Sequence, residues 1–92
     1  MEPIKLIKSD YEVLMDMADE YSISSNKLAC IRNEKSSAIM VLMSDSKSVK
    51  EAEMKWNATE SGKEETTLVY FLKGLEKRMS ALRAKINGDR AY

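Results

Sequence analysis

Residues that could carry chemistry are few in this 92-residue chain, and their spacing does not build a reaction centre. The chain has no histidine, which excludes an imidazole base, a histidine-ligated metal and a histidine-activated nucleophile. Cys30 is the only cysteine, so an intrachain disulfide and a thiolate zinc site are excluded as well. We therefore predict a protein that is not an enzyme and that uses no cofactor and no metal.

Two weaker patterns have simpler structural interpretations. The serine–lysine spacing of some hydrolases occurs at Ser24–Lys27 and Ser44–Lys47, but such an enzyme needs a pocketed fold with an oxyanion hole. We interpret both pairs as turn and cap residues. Asp16 with Asp19 or Glu20 offers carboxylates from one helix face, yet no calcium-loop spacing surrounds them. A solvated acidic face is the simpler interpretation.

The composition predicts a single all-α domain. Only three glycines and one proline interrupt a chain rich in good helix formers, and 15 basic residues balance 15 acidic ones. No apolar run approaches the roughly 20 residues that span a bilayer, and the N-terminus lacks a signal-peptide core. We expect one domain over residues 1–92, with an N-terminal arm (1–8) and a loose tail (89–92). With one unpaired cysteine, we expect it in the cytoplasm, the host's if it is viral.

Three capping boxes mark expected helix starts. In this motif a serine side chain accepts a hydrogen bond from the third amide of the helix, and a glutamate reaches back to the serine amide. The motif occurs at 9–12, 48–51 and 61–64, each time before a periodic apolar stretch.

The first helix carries a heptad seam, with spacings that alternate between three and four residues. Its members are Leu14, Met17, Tyr21, Ser24, Leu28, Ile31, Lys35, Ala38 and Leu42. A break near 24–26 would give two shorter helices, but the unbroken phase favours one helix over 10–43, about 51 Å long. Lys35 lies on this seam, where it either extends its ammonium group to solvent or pairs with an acid that fixes the register.

The last helix has the longest apolar stripe of the chain. The stripe consists of Leu68, Leu72, Leu75, Met79, Leu82 and Ile86, widened by Val69 and Phe71. It does not continue the register of Val49, Ala52 and Trp56, which predicts a discontinuity near Gly62. Asn87 and Gly88 tolerate a left-handed conformation and are expected to end the helix.

These elements predict an antiparallel helical hairpin or a small three- to four-helix bundle with coiled-coil-like packing. A hairpin of this length buries one seam per helix and leaves apolar surface in water. We therefore expect a homodimer or a complex with a partner protein.

Charge is segregated along the chain. Five acids and no base lie between Ser9 and Asn26, namely Asp10, Glu12, Asp16, Asp19 and Glu20. Bases dominate the last helix, namely Lys73, Lys77, Arg78, Arg83 and Lys85. The simpler interpretation is that the two helices lie side by side with complementary flanks. The alternative is a phosphate-binding strip for nucleic acid with Tyr70 and Phe71 near its start, although the sequence pI of about 6.3 is low for such a domain.

Candidate protein-binding residues are apolar anchors and the acidic face that would steer a partner. They are Trp56, Met40, Met43, Asp16, Asp19 and Glu20. Each also has a structural interpretation, because a lone tryptophan and a methionine cluster at a helix end usually belong to the core.

The C-terminal half resembles small helical proteins of bacteriophages. The likeness covers Ser48–Glu53, Gly62–Glu65, Tyr70–Lys77 and Ser80–Arg83, and it is one of helical texture rather than of a catalytic motif. It implies a phage or prophage product. Our prediction is a non-enzymatic helical interaction protein that binds a host or phage macromolecule, for instance as an inhibitor of a host defence complex. A nucleic-acid-binding accessory of phage replication or recombination is the first alternative, and a structural or assembly oligomer is the second.

Overall fold

The computed structural model describes residues 8–90. For residues 89 and 90 it describes only the backbone. This part of the chain folds into α1 (Asp10–Met43), α2 (Val49–Ala58) and α3 (Glu60–Arg90), and it contains no strand. The prediction of an all-α fold is confirmed. Residues 10–43 form one continuous helix, as the unbroken heptad phase favoured. The expected arm over 1–8 lies outside the described residues, apart from Lys8.

Two of the three expected helix caps are present. The Ser9 hydroxyl accepts a hydrogen bond from the Glu12 amide, and the Ser48 hydroxyl accepts one from the Glu51 amide, both at 3.2 Å. Each bond satisfies one of the amide groups that a helix start leaves without a partner. These local signals therefore fix where α1 and α2 begin.

The third cap lies two residues earlier than the sequence motif predicts. The Thr59 hydroxyl accepts a hydrogen bond from the Gly62 amide (3.0 Å) and donates one to the Trp56 carbonyl (2.6 Å). One threonine thus joins the end of α2 to the start of α3, and Ser61 lies within the first turn of α3. The discontinuity near Gly62 is real, but it falls at Thr59.

The end of α3 also differs from the prediction. Asn87 and Gly88 are helical, α3 continues to Arg90, and no glycine in the described range has a positive φ. The expectation of a left-handed helix end at Gly88 was therefore wrong. It also follows that 89 and 90 are part of α3, while the rest of the expected tail lies outside the described residues.

The two long helices run antiparallel. Asp10 at the start of α1 pairs with Lys85 near the end of α3 (3.3 Å), and the Tyr21 hydroxyl donates a hydrogen bond to Glu76 (2.6 Å). Every member of the predicted α1 seam is buried or half-buried, and so are the six spaced residues of the predicted α3 stripe and Val69. Phe71, which was predicted to widen that stripe, is instead 41% exposed, so that part of the prediction was wrong. The buried apolar residues are Leu28, Ile31, Ala52, Trp56, Leu72, Leu75, Met79 and Ile86.

The short helix α2 packs against both long helices at one end of the pair. The resulting molecule is extended, with principal dimensions of 61 × 39 × 16 Å. Its radius of gyration is 19.6 Å, whereas a globular chain of this length has about 12 Å. The thin shape limits the core to the seam between helices and leaves the outer faces of α1 and α3 without a neighbour among residues 8–90.

Candidate functional site

A buried carboxylate joins the three helices where α2 meets the long pair. Glu65 of α3 is 8% exposed. Its Oε1 accepts hydrogen bonds from the Lys35 ammonium group of α1 (3.2 Å) and from the Trp56 indole of α2 (3.3 Å). Its Oε2 lies 3.5 Å from the Arg32 guanidinium group. The cluster of these four residues therefore ties each helix to the other two.

The electrostatics of the cluster favour an ionised Glu65. Burial alone raises the pKa of this carboxyl, but hydrogen bonds from Lys35 and Trp56, with the charges of Lys35 and Arg32, outweigh that effect. The net result is a pKa below the usual value. No buried side-chain nitrogen or oxygen in the described residues lacks a hydrogen-bond partner. The cluster groups thus bind one another, as in a structural ion network, rather than pointing towards a ligand.

The sequence pointed to one half of this cluster. Lys35 is the charged residue on the α1 seam, and the alternative in which it pairs with an acid is confirmed. The sequence analysis did not identify the acid that pairs with Lys35, although extending the α3 stripe one step before Leu68 leads to Glu65. Two opposite charges on facing apolar seams were the available signal.

Trp56 does not present an exposed anchor. It is 4% exposed and packs in the core, with its indole nitrogen bonded to Glu65. The hypothesis that Trp56 contacts a partner directly is therefore wrong in this structure, and its interpretation as a core anchor is correct. The physical reason is that α2 can bury Ala52 and Trp56 together only by turning this side towards α1 and α3.

The two candidate methionines lie at the surface. Met40 is 77% exposed and Met43 is 39% exposed, with Val41 at 70% between them. Residues 36–44 contain no charged side chain. We name the last turn of α1, over residues 40–43, the apolar end. An exposed uncharged segment of this kind is uncommon on a chain that is one-third charged.

The three candidate acids are all exposed on α1. Asp16 pairs with Lys8, whereas the structure shows no ion pair for Asp19 or Glu20 within its described range. They lie in the N-terminal half of α1, about 30 Å along the helix from the apolar end. The structure therefore keeps the acidic face and the methionines apart, at opposite ends of α1.

The five candidate bases of α3 do not form one narrow strip. At about 100° per residue, Lys73 and Lys77 point away from the core, and Arg78 and Lys85 lie on one flank. Those two line an open groove with Val13 and Met17, whereas Arg83 lines the groove on the opposite side with Tyr21 and Glu76. Lys85 pairs with Asp10, which is the complementary flanking predicted for the two helices. Lys73 lies 5.8 Å from the ring of exposed Tyr70.

The remaining candidate chemistry has mostly structural roles. The Ser44 hydroxyl donates a hydrogen bond to the Val41 carbonyl (2.7 Å), as a helix-end residue does, and Lys27 pairs with Glu64 (2.8 Å). Cys30 is exposed, although its neighbours Leu28, Ala29 and Ile31 favour a small buried residue at this position. The groove between α1 and α3 beside Tyr21 has a volume of about 410 Å³ and is open to solvent. No group of three acidic or cysteine side chains in residues 8–88 is arranged to hold a metal ion.

Comparison with other proteins adds no relative. The chain matches no known protein family, and neither a curated protein nor a solved structure is significantly similar to it. Within the described range, no helix has the length and apolarity needed to cross a membrane. The surfaces described above are therefore what supports an inference of function.

Proposed function

We propose that this protein is a helical interaction module that binds a partner protein through the apolar end of α1. The observation that supports the proposal is the exposure of Met40, Val41 and Met43 within nine residues that carry no charge. Exposed apolar side chains at one place mark interaction sites more often than solvated surface. The sequence analysis predicts a non-enzymatic protein that acts by binding, and the proposal names the surface that would bind.

The chemistry of the apolar end suggests the kind of surface it binds. Methionine side chains are flexible and polarisable, so they adapt to an apolar groove on a partner. A helix end that inserts such side chains into a groove is a common mode of peptide recognition. The exposed acids Asp19 and Glu20 would add electrostatic steering towards a basic partner surface at the other end of α1. Inhibition of a host defence complex by a phage product is a narrower form of this proposal, and it rests on the resemblance alone.

Binding to a purified partner tests the proposal. The tagged chain is used to capture proteins from a lysate of a candidate host, and the captured protein is then purified and titrated in a binary assay. Val41→Glu and Met43→Glu are expected to weaken binding at least about tenfold, because each places a charge against an apolar groove. Met54→Glu is the matched control, since Met54 is 65% exposed on α2, outside the apolar end. Equal binding by all three variants would contradict the proposal.

Nucleic-acid binding is a second candidate, supported by the outer face of α3. Lys73 and Lys77 are exposed there beside Tyr70, and the structure shows no ion pair for either lysine within its described range. Cations with a neighbouring aromatic ring are what non-specific binding to single strands requires. Retention of the chain on DNA at low salt, abolished in Lys73→Glu/Lys77→Glu, is the expected result if this candidate is correct. No retention at low salt would eliminate it.

A further inference from the structure

The outer side of α1 carries a second heptad pattern, opposite the seam that packs on α3. We name these eight positions the outer stripe, and their spacing alternates between four and three residues. They are Met15, Asp19, Ser22, Asn26, Ala29, Asn33, Ser36 and Met40. All eight are exposed. The helix therefore presents two heptad faces, of which only one has a neighbour in the described chain.

The composition of the outer stripe differs from that of a solvated helix back. Asp19 is its single charged member, although one-third of the whole chain is charged. A helix face in water normally collects charged side chains, whereas seven of these eight positions are uncharged and a methionine lies at each end of the stripe. Small side chains in the middle of the stripe, at Ser22 and Ala29, allow a second helix to approach closely.

The exposed area of the molecule leaves room for such a contact. The surface of the chain is 7496 Å², whereas a globular monomer of 10.5 kDa exposes about 5,400 Å². Residues 1–7 and 91–92 account for at most about 1,500 Å² of this, the area of a fully extended stretch. A further excess of about 1,000 Å² still belongs to residues 8–90, relative to a globular chain of their mass. Each partner in a standard stable interface buries about 800 Å².

The pattern of the outer stripe is complementary to itself when two copies run antiparallel. In antiparallel coiled coils the two kinds of heptad position face each other, so all eight positions find a partner in one register. Met15 then faces Met40 of the second copy, Ser22 faces Asn33, Asn26 faces Ala29, and the remaining Asp19 faces a serine hydroxyl. Large apolar side chains meet at both ends, and small or hydrogen-bonding side chains meet between them.

Charge selects the antiparallel arrangement over the parallel one. Residues 9–26 carry five acids and no base, whereas residues 27–43 carry three bases and one acid. A parallel pair would place the two acidic halves side by side, and like charges at such flanks destabilise a contact. An antiparallel pair keeps the two acidic halves apart. The three bases, Lys27, Arg32 and Lys35, pair within each copy with Glu64 and Glu65 of α3.

We infer that this protein forms an antiparallel homodimer through the outer stripe of α1. This dimer does not depend on the partner protein proposed above. Val41 lies about 100° around the helix from Met40 and off the stripe, so it stays available for a partner protein in the dimer, whereas Met43 continues the stripe one step past Met40.

The oligomeric state of the full chain tests the inference, with light scattering or sedimentation as the measurement. The wild-type chain is expected to have about twice the 10.5 kDa mass of one chain at micromolar concentration. Ala29→Glu is expected to raise the dimer dissociation constant at least about a hundredfold, because it buries a carboxylate with no partner. Ala84→Glu is the matched control on the exposed outer face of α3 and is expected to leave the dimer intact. Circular dichroism shows whether both variants remain helical.

Disulfide trapping then tests the orientation. Ser22→Cys and Asn33→Cys are made separately in a Cys30→Ser background, distinguished by mass and mixed under oxidising conditions. The antiparallel register is expected to give the disulfide between position 22 of one copy and position 33 of the other. Two copies of position 22 would lie about 16 Å apart, beyond the reach of a disulfide.

Each outcome bears on the inference. A monomeric wild-type chain, large open assemblies, an Ala29→Glu dimer as stable as wild type, or crosslinks between identical positions would each overturn it. Val41→Glu is expected to remain dimeric, which separates failure of this inference from failure of the proposed function.

Discussion

Gly62→Ala gives the sharpest test of how α2 is joined to α3. Gly62 is buried in the first turn of α3, against the backbone of the last turn of α2. A methyl carbon added there would lie 2.0 Å from the Trp56 carbonyl oxygen and 2.8 Å from the Asn57 Cα atom. Both atoms are backbone, so no side-chain rotation relieves the overlap. We expect α2 to shift away from α3.

The size of the effect follows from what that shift disturbs. Overpacking that side chains partly absorb costs about 1–3 kcal/mol, and complete loss of a buried tryptophan's packing costs about 3–5 kcal/mol. We therefore expect Gly62→Ala to lower the free energy of unfolding by about 3 kcal/mol. For a domain of this size that corresponds to a fall in Tm of more than about 12 °C.

A glycine elsewhere in α3 provides a control that should raise, rather than lower, the free energy of unfolding. Gly74 has open space where its methyl group would go, so Gly74→Ala is expected to stabilise α3 by about 0.5–1 kcal/mol through helix propensity alone. Urea unfolding followed by circular dichroism gives both free energies. Fluorescence reports on the junction directly, because Trp56 is the only tryptophan. A Gly62→Ala variant as stable as Gly74→Ala, with unchanged fluorescence, would refute the close approach of α2 to α3.

Four further substitutions test the cluster, the corrected cap and the core, all by urea unfolding. Glu65→Gln is expected to cost about 1–2 kcal/mol at neutral pH, less than a fully buried ion pair because its cations are partly solvated. Folding lowers the pKa of Glu65. The stability difference between wild type and Glu65→Gln should therefore persist above the unfolded pKa near 4.3 and shrink as the pH falls through the folded pKa. A difference that does not depend on pH would contradict the ionised cluster. Thr59→Ala is expected to cost about 1 kcal/mol, whereas Ser61→Ala should change stability by less than about 0.5 kcal/mol, and the reverse order would restore the sequence-predicted cap. Leu75→Ala should cost about 2–4 kcal/mol, because Leu75 is 2% exposed, and a loss below about 1 kcal/mol would show that the seam between α1 and α3 is not the core.

The heptad spacing and local caps made most of the helical framework predictable from the sequence. The single helix over 10–43 follows from an apolar phase that continues through the polar residues Ser24 to Asn26. The starts of α1 and α2 follow from Ser9 and Ser48, whose hydroxyls act on amides only three residues away. Such signals are readable because each involves residues within one helical turn or a repeat of that turn.

The candidate site was less predictable because it depends on which side of each helix is covered. Met40 and Trp56 were equivalent as candidate anchors in the sequence, yet one is exposed and the other is buried. The difference arises because α2 turns back against the long pair, and no local pattern encodes that direction.

The sequence by itself determined that the chain is helical, that α1 and α3 each carry a stripe to bury, and that Lys35 lies on one of those stripes. Only the tertiary structure decided that Glu65 is the partner of Lys35, that Trp56 is buried, and that the apolar end of α1 stays exposed. The physical reason is the separation along the chain of the residues that interact, because helix periodicity and caps act over only a few residues. The burial of Trp56 and the pairing of Lys35 with Glu65 need segments 9 and 30 residues apart to meet.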